Sequence, residues 1–378
     1  MQEIDAGPVR LRAFHDGDVD DIVEACNDPL SRRFLPLLPQ PYRRHDALAF
    51  LHEYVPSAIA AGRAQYAIAD PDSGRLLGTI GLAYRRGTVA EVGYWVAPWA
   101  RGRGVATAAT RALSERAFAD GIARLELRTE PENTYSQRVA LAAGYSWESL
   151  QRAAGEGPGG ARRDLIQWVR LRGDPPGPTR RALPDLPAGE LTDGVVTLRP
   201  VAADDANDLY ALRSLPEVVR VTVPAQPPDR ETLARNCAWA PSFWLAGSRV
   251  HLTIRDAWSD AFAGEIGFGI TEAVSALAMA GYNLARDWRG RSYASRALRL
   301  LAAWAFAAVG LARLEAGTAV DNLASQRVLA AVGFQREGLQ RGRLPGPGGT
   351  RVDNLLYALL PGDLRHGHGL SPTRTPPR

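Results

Sequence analysis

The chain contains no lysine. All 45 of its basic side chains are arginine, set against 41 acidic ones, for a net charge of +4 over 378 residues. Alanine, arginine, glycine and proline are all abundant, so a GC-rich codon bias is a sufficient cause. The arginines are interspersed with acids and form no basic run, which speaks against nucleic acid as a partner. The sequence pI of about 9.2 also suits an enzyme whose cofactor is a polyanion. Cysteine is scarce: Cys26 and Cys237 fall in different halves of the chain and exclude a disulfide framework. Six histidines without paired-ligand spacing leave no metal signature. The longest uncharged apolar run covers 300–312, well short of the ~20 residues that span a bilayer. Residues 1–5 lack the basic-then-apolar pattern of a secretory signal. These absences predict a cytoplasmic protein with no metal, no membrane and no nucleic acid among its partners.

What the chain does contain is one pattern, twice. Val9-Arg10-Leu11-Arg12 returns as Val196-Thr197-Leu198-Arg199, and Gly78-Thr79-Ile80-Gly81-Leu82 as Gly264-Glu265-Ile266-Gly267-Phe268. Gly93-Tyr94 returns as Gly281-Tyr282, and Arg101-Gly102-Arg103 as Arg289-Gly290-Arg291. Asn133-Thr134-Tyr135-Ser136-Gln137-Arg138-Val139 returns as Asn322-Leu323-Ala324-Ser325-Gln326-Arg327-Val328, and Asp164 with Trp168 as Asp353 with Tyr357. The offsets stay between 186 and 189 and the order is kept. Solenoid repeats are far shorter, so this is a duplicated domain. The expected layout is a first domain over 1–172, a proline-rich linker over 173–193, a second domain over 194–360 and a disordered tail over 361–378.

Within each copy the patterning alternates between the two periods. In the first, strands are expected at 9–12, 66–69, 76–84, 89–96, 125–129 and 165–171. Helices are expected at 18–27, 106–119 and 136–143, the last stopped by Gly144. A hairpin loop is expected at 155–160 and again at 345–349. The order is strand, helix, three-strand meander, helix, strand, helix, strand.

The chemistry concentrates in residues 91–106, Glu91-Val92-Gly93-Tyr94-Trp95-Val96-Ala97-Pro98-Trp99-Ala100-Arg101-Gly102-Arg103-Gly104-Val105-Ala106. A strand runs into a glycine-rich turn and then a helix, which gathers backbone N–H groups and a helix N-terminus at one point. The spacing Arg101-x-x-Gly104-x-Ala106 resembles the pyrophosphate loop of the GNAT superfamily of acetyl-CoA-dependent N-acetyltransferases. The later Asn133-x-x-Ser136-x-Arg138-Val139, followed by Gly144-Tyr145, resembles the branch containing the ribosomal-protein N-terminal acetyltransferases. The resemblance covers both copies. It implies an α/β (α+β) chain of two tandem GNAT folds, each a mixed, mostly antiparallel splayed sheet flanked by helices.

The resemblance also implies roles. Acetyl-CoA would lie along Trp95, Val96 and Ala97, with a backbone N–H near Val96 on the thioester oxygen. Arg101, Gly102, Arg103, Gly104, Val105 and Ala106 would take the pyrophosphate, and Asn133 and Arg138 the pantetheine or nucleotide side. Glu91 is either the proton acceptor for the attacking amine or an exposed strand carboxylate. Ser136 is an N-cap, the proton source for the leaving thiolate, or both. Tyr94, Trp95, Trp99 and Phe118 read as core or pocket lining.

The second copy departs at two of these positions. Ser292 replaces Gly104, and Met279 stands where Glu91 does. Its helix over 294–309 is also more apolar, with Ala303 and Trp304 for Glu115 and Arg116; this predicts either a buried interface or core variation. The second domain is therefore expected to be degenerate, completing the first as an intramolecular pseudo-dimer. The function expected is transfer of an acyl group, acetyl before larger ones, to a primary amine, either a protein N-terminus or a small molecule. A non-catalytic acyl-CoA-binding protein is the alternative.

Overall fold

The computed structural model describes residues 2–223, 225–346 and 349–365, and the chain divides into two compact units after Arg180. The first unit contains β1 (Ile4–Asp5), β2 (Arg10–Arg12), α1 (Val19–Asn27), α2 (Pro29–Phe34), α3 (Arg44–Ala49), α4 (Val55–Ala60), β3 (Ala64–Ala69), β4 (Leu76–Arg86), β5 (Val89–Val96), α5 (Val105–Ala119), β6 (Arg124–Thr129), α6 (Thr134–Ala142), β7 (Ser146–Glu156) and β8 (Arg162–Leu171). The second repeats this with β9 (Leu191–Thr192), β10 (Val196–Pro200), α7 (Ala206–Arg213), α8 (Pro216–Val219), α9 (Arg230–Leu245), β11 (Arg249–Asp256), β12 (Phe262–Glu272), β13 (Leu277–Leu284), α10 (Tyr293–Trp304), β14 (Arg313–Ala319), α11 (Leu323–Val332), β15 (Gln335–Pro345) and β16 (Arg351–Leu359). Among the described residues no helix is long and apolar enough to cross a membrane.

Each unit holds one eight-stranded sheet, ordered β1-β2-β3-β4-β5-β6-β8-β7 and β15-β16-β14-β13-β12-β11-β10-β9. Every pairing is antiparallel except one per sheet, β5 with β6 and β13 with β14. A parallel neighbour needs a crossover, and α5 and α10 supply it. The sheet of the first unit buries Leu11, Ile68, Ile80, Leu125, Leu127 and Trp168 completely, with Leu113 of α5 packed over them. A second apolar cluster, including Val19, Ile22, Tyr42 and Leu51, packs with Leu76 where α1 and α3 meet the sheet. The second unit centres on Leu198, Leu252, Ile266, Leu298, Leu301 and Leu314.

Four expectations need correction. The stretch 173–193 is not a free linker. Its first part belongs to the first unit, where the Thr179 N–H donates to the Leu141 carbonyl at 2.9 Å and the Thr179 hydroxyl to the Tyr145 carbonyl. Its second part belongs to the second unit: Leu183 and Leu186 are buried in that core, and β9 pairs with β10. Proline content concealed two apolar anchors. The segment 29–60, where the patterning predicts no element, carries three short helices. A seventh long strand in each copy, β7 and β15, was also not expected. Its composition, Ser146-Trp147-Glu148-Ser149-Leu150-Gln151, lacks the β-branched signature, and its pairing with β8 holds it. Residues 361–365 are ordered against α11, with the Arg365 N–H donating to the Val332 carbonyl; the rest of the expected tail lies outside the described residues.

The repeated Asp164 and Asp353 gain a reason from the same hairpin. Each accepts from the N–H of a bulged residue with positive φ, Ala153 (φ 53°) and Gly342 (φ 57°), at 2.7 Å in both cases. Both copies thus pin the same β-bulge, which sits within a register shift of the β7–β8 and β15–β16 pairs.

Candidate functional site

The glycine-rich turn is built as a cradle. Gly102 and Gly104 take φ of 72° and 75°, left-handed conformations that glycine adopts without cost. Among the described residues, none accepts a hydrogen bond from the backbone N–H groups of Gly102, Arg103, Gly104, Val105 and Ala106. The fifteen-residue α5 starts at Val105, so its positive end lies behind the same point. No atom lies within 4 Å of where a Cβ would stand on Gly102 or Gly104, which leaves the cradle open.

Arg101, at the start of the turn, is tied to the preceding elements. Its N–H donates to the Pro98 carbonyl, and its guanidinium donates to Asp28 at 2.6 Å and to the Ser31 hydroxyl at 2.9 Å. Burial pushes the Asp28 carboxyl up, but Arg101 and the Ser31 N–H more than offset this and hold it below the usual range. The second copy makes the equivalent tie: Arg289 donates to Glu217, the second residue of α8, at 3.0 Å. The first arginine of each loop therefore braces a helix, because an acidic side chain stands within reach of it.

Beside the cradle the sheet opens. β5 pairs with β6 only at Val89↔Arg124, Ala90↔Leu125 and Glu91↔Glu126. Ala97 donates to the Leu77 carbonyl opposite it at 2.8 Å, so odd-numbered residues of β5 bond to β4. The alternation turns the N–H groups of Tyr94 and Val96 toward the gap. β13 repeats the arrangement: Ala285 donates to Ala263, so Tyr282 and Leu284 face the gap.

Side chains on β5 alternate between two faces. Tyr94 points toward α6, where its phenol meets the Ser136 hydroxyl at 2.7 Å. Burial pushes the Tyr94 phenol well up, with the Ser136 bond offsetting only part, so it stays protonated. Asn133 caps α6 by accepting from the Ser136 N–H at 3.1 Å, which orients that hydroxyl. Arg138 lies exposed on the same helix. Tyr282 and Ser325 repeat the phenol–hydroxyl pair at 2.9 Å, and Asn322 repeats the cap. The sequence reading took Tyr94 for lining; its recurrence at 282 next to a recurring serine was the available signal.

Glu91 and Trp95 share the opposite face of β5. Trp95 packs against the cluster of Val19, Ile22 and Tyr42, so its side chain serves the core, and its backbone pairs with β4. Glu91 stands at the last paired register before the strands part. Its carboxylate is engaged by Arg128, through Nε at 3.1 Å and a terminal nitrogen at 2.9 Å, and by Arg85. Taking a proton requires it to give up one of these ion pairs. Arg85, with its side chain 45% exposed, is the looser partner.

The second copy is not stripped of its site. Ser292 adopts the left-handed conformation of Gly104, φ 63°, and heads α10. Among the described residues, no acceptor meets the N–H groups of Gly290, Arg291, Ser292, Tyr293 and Ala294. Trp304 is not an interface residue: it is buried in its own domain against Trp244 and Phe268, with ring centroids 5.5 and 6.1 Å away. A cleft of about 660 Å³ runs beside the β13–β14 gap and touches Met279, Tyr282, Thr318 and Ser325. Its floor also holds a charged group the sequence reading missed, formed by Arg213, His251, Glu265 and Asn283.

A turn with unpaired N–H groups at a helix N-terminus, beside a parallel strand pair that parts after three registers, is the arrangement that the resemblance to acyl-CoA-dependent acyltransferases implies. The chain belongs to the GNAT acetyltransferase family: the model described as "Acetyltransferase (GNAT) domain" matches residues 9–146 and again 196–335. A curated relative, "Uncharacterized N-acetyltransferase p20" of Bacillus licheniformis, is 28% identical over 165 residues, 44% of this chain and 92% of that protein. Among solved structures, "Mycobacterium smegmatis RimJ in complex with CoA-disulfide" is 28% identical with a TM-score of 0.42, covering 47% of this chain and 88% of the other. The ribosomal-protein-S5-alanine acetyltransferase of Vibrio fischeri is 20% identical with a TM-score of 0.42, covering 47% and 99%. Each match is about one copy long.

Proposed function

We propose that the first domain transfers an acetyl group from acetyl-CoA to a primary amine by direct attack, the acceptor being a protein N-terminus or a small-molecule amine. The observation that carries this is the cradle of five outward N–H groups at the head of α5, opening beside the β5–β6 gap. Residues 102–106 would take the pyrophosphate through the backbone. The Val96 or Tyr94 N–H would meet the thioester oxygen as it gains charge, a donor typically worth about 2.7–4 kcal/mol in the transition state. Asn133 and Arg138, at the head of α6, would border the pantetheine or nucleotide side. The chemistry of the cradle matches a polyanionic diphosphate because it offers unpaired donors and a helix dipole.

The amine nitrogen forms a bond to the carbonyl carbon, the C–S bond breaks, and one proton leaves nitrogen while one joins sulfur. Ser136, bonded to a phenol that stays protonated, is placed to give the proton to the thiolate, with Tyr94 replenishing it. Glu91 accepts the amine proton, directly or through water, once Arg85 swings away. Glu91 returns its proton to solvent and the Ser136–Tyr94 pair takes one back, so the neutral amine and acetyl-CoA become the amide and free CoA with no net proton released.

Calorimetry on Gly104→Val tests the cradle. Acetyl-CoA affinity at the first domain should fall at least tenfold; a Cβ there meets no atom but is strained at φ 75°, so the unfolding midpoint is measured alongside to show that the domain stays folded. Unchanged affinity would remove the loop from the reading. Glu91→Gln should keep acetyl-CoA affinity and lower kcat by roughly 10²–10⁴-fold; an unaltered pH–rate profile would show that Glu91 is a structural carboxylate.

A further inference from the structure

The two copies share a scaffold but differ at four superposed positions on the face that carries Glu91 and Met279. Gln65 faces Gly81 across β3–β4, as His251 faces Gly267 across β11–β12. Thr79 faces Trp95, as Glu265 faces Asn283. Cys26 and Arg213 each follow a buried helix-capping aspartate, Asp18 and Asp205, by eight residues. A neutral set in the first domain has become a charged one in the second.

Within that charged set both Glu265 oxygens are paired. Glu265 is 4% exposed. One of its oxygens accepts from Arg213 Nε and Asn283 Nδ2, both at 2.9 Å; the other accepts from an Arg213 terminal nitrogen at 2.7 Å and faces His251 Nε2 at 2.8 Å. Burial works against the Glu265 anion, but the bonds from His251 and Arg213 win and hold the carboxyl far below its usual range. An ionised Glu265 can only accept, so Nε2 carries the hydrogen and the lone pair of a neutral ring sits on Nδ1. Among the described residues no side chain or backbone group bonds Nδ1. The other groups near the ring are Arg249, on its own strand, and Cys237 of α9, which line a small cavity of about 40 Å³ with it. Burial pushes the Cys237 thiol up to about 11, so it contributes no charge.

The same 660 Å³ cleft is lined by His251, Glu265 and Asn283 on one side of the sheet and by Tyr282 and Ser325 at the gap. We propose that the second domain is a second acetyl-transfer site, for a primary amine, in which His251 is the proton acceptor and Glu265 the residue that positions it. The imidazole, on β11 at the register of Gly267 and Gly281, supplies a proton acceptor that Met279 on β13 lacks. As the amine nitrogen bonds the thioester carbon, its proton passes to Nδ1, the C–S bond breaks, and the thiolate takes a proton from the Ser325–Tyr282 pair. Arg213 and Asn283 hold the carboxylate so that the ring keeps one orientation, the arrangement that a buried acid gives a catalytic histidine elsewhere. This inference rests on the family reading for the cofactor and departs from it in giving the second domain its own chemistry.

The test uses the full chain with acetyl-CoA, following thiol release with water alone and with an amino-terminal seryl peptide as acceptors. Water needs the same proton acceptor as an amine, so the assay reads without knowledge of the natural substrate. Gly104→Val, which disables the first cradle, should leave measurable release. Adding His251→Gln should lower that remainder by roughly 10²–10⁴-fold and remove the acid limb of its pH profile, with acetyl-CoA stoichiometry unchanged. Glutamine at this register folds in the first domain, as Gln65, and an unchanged unfolding midpoint would confirm that it folds in the second. An unchanged rate or limb in the double variant overturns the assignment of His251. Loss of all release in Gly104→Val alone overturns the second site and leaves the first intact. Absence of acetyl-CoA binding by the unaltered chain overturns both readings.

Discussion

Ser292 and Gly104 occupy the same backbone conformation with different side chains. A Cβ in the left-handed region costs about 1–2 kcal/mol, and Ser292 at φ 63° bears it. Ser292→Gly should therefore stabilise the second domain by about 1 kcal/mol in denaturant titration, and it should not weaken acetyl-CoA binding there. Glu265 supplies the opposite case, a residue whose charge is held by its surroundings. Its folded pKa is depressed, so its contribution is complete above the ordinary carboxylate range near pH 4 and is lost only as pH falls well below it. Glu265→Gln leaves Arg213, whose side chain is 34% exposed, without its counter-charge, which should cost about 1–3 kcal/mol at neutral pH. Urea midpoints of the second domain at pH 7 and pH 3 should show that the variant loses less on acidification than the parent does.

Elements matter here through what they attach to. Leu183 and Leu186 lie in a proline-rich stretch, yet they are buried with Leu198 and Leu252 in the second core, and Trp244 donates to the Pro184 carbonyl at 3.0 Å. Leu183→Ala should destabilise the second domain by about 2–5 kcal/mol and leave the unfolding transition of the first unmoved. A free linker would show no shift in either. The short helices after α1 follow a similar logic. Arg101 ties the cradle loop to α2 through Asp28, and Arg289 ties its loop to α8 through Glu217. In each copy the segment after the first helix is thus fastened to the glycine-rich loop by an ion pair. Arg33 with Glu132 and Arg220 with Asp321 add a second repeated tie, from that segment to the loop before α6 or α11.

Duplication gave this molecule two copies of one scaffold, and the copies have diverged on one face while agreeing on the other. The phenol–serine pair, the asparagine cap and the outward loop N–H groups are kept twice; the groups around Trp95 and Asn283 are not. Two working sites predict two acetyl-CoA molecules bound per chain by calorimetry. Gly104→Val and Gly290→Val should each remove one of them. A stoichiometry of one, lost with Gly104→Val alone, would restore the expectation of a degenerate second domain. Cleavage of the backbone between Arg180 and Arg181 should release two fragments that each keep their own unfolding transition, because Thr179 stays with the first core and Leu183 with the second.

Much of this was legible in the order of residues. The repeat, the strand–turn–helix segment and the main strands and helices follow from periodicity, glycine placement and the doubled motif, all of which are local. The strands β7 and β15 escaped because a polar, bulged strand is stabilised by its partner and carries little signal of its own. The resemblance assigns Arg101 to the pyrophosphate, and only the folded chain shows that its guanidinium also meets Asp28, 73 residues earlier. His251, Glu265, Asn283 and Arg213 lie on three strands and a helix, and no spacing connects them. Hydrogen bonds between strands set which residues stand opposite one another, and that register, a property of the folded sheet, is what assembled the charged cluster beneath the second cleft.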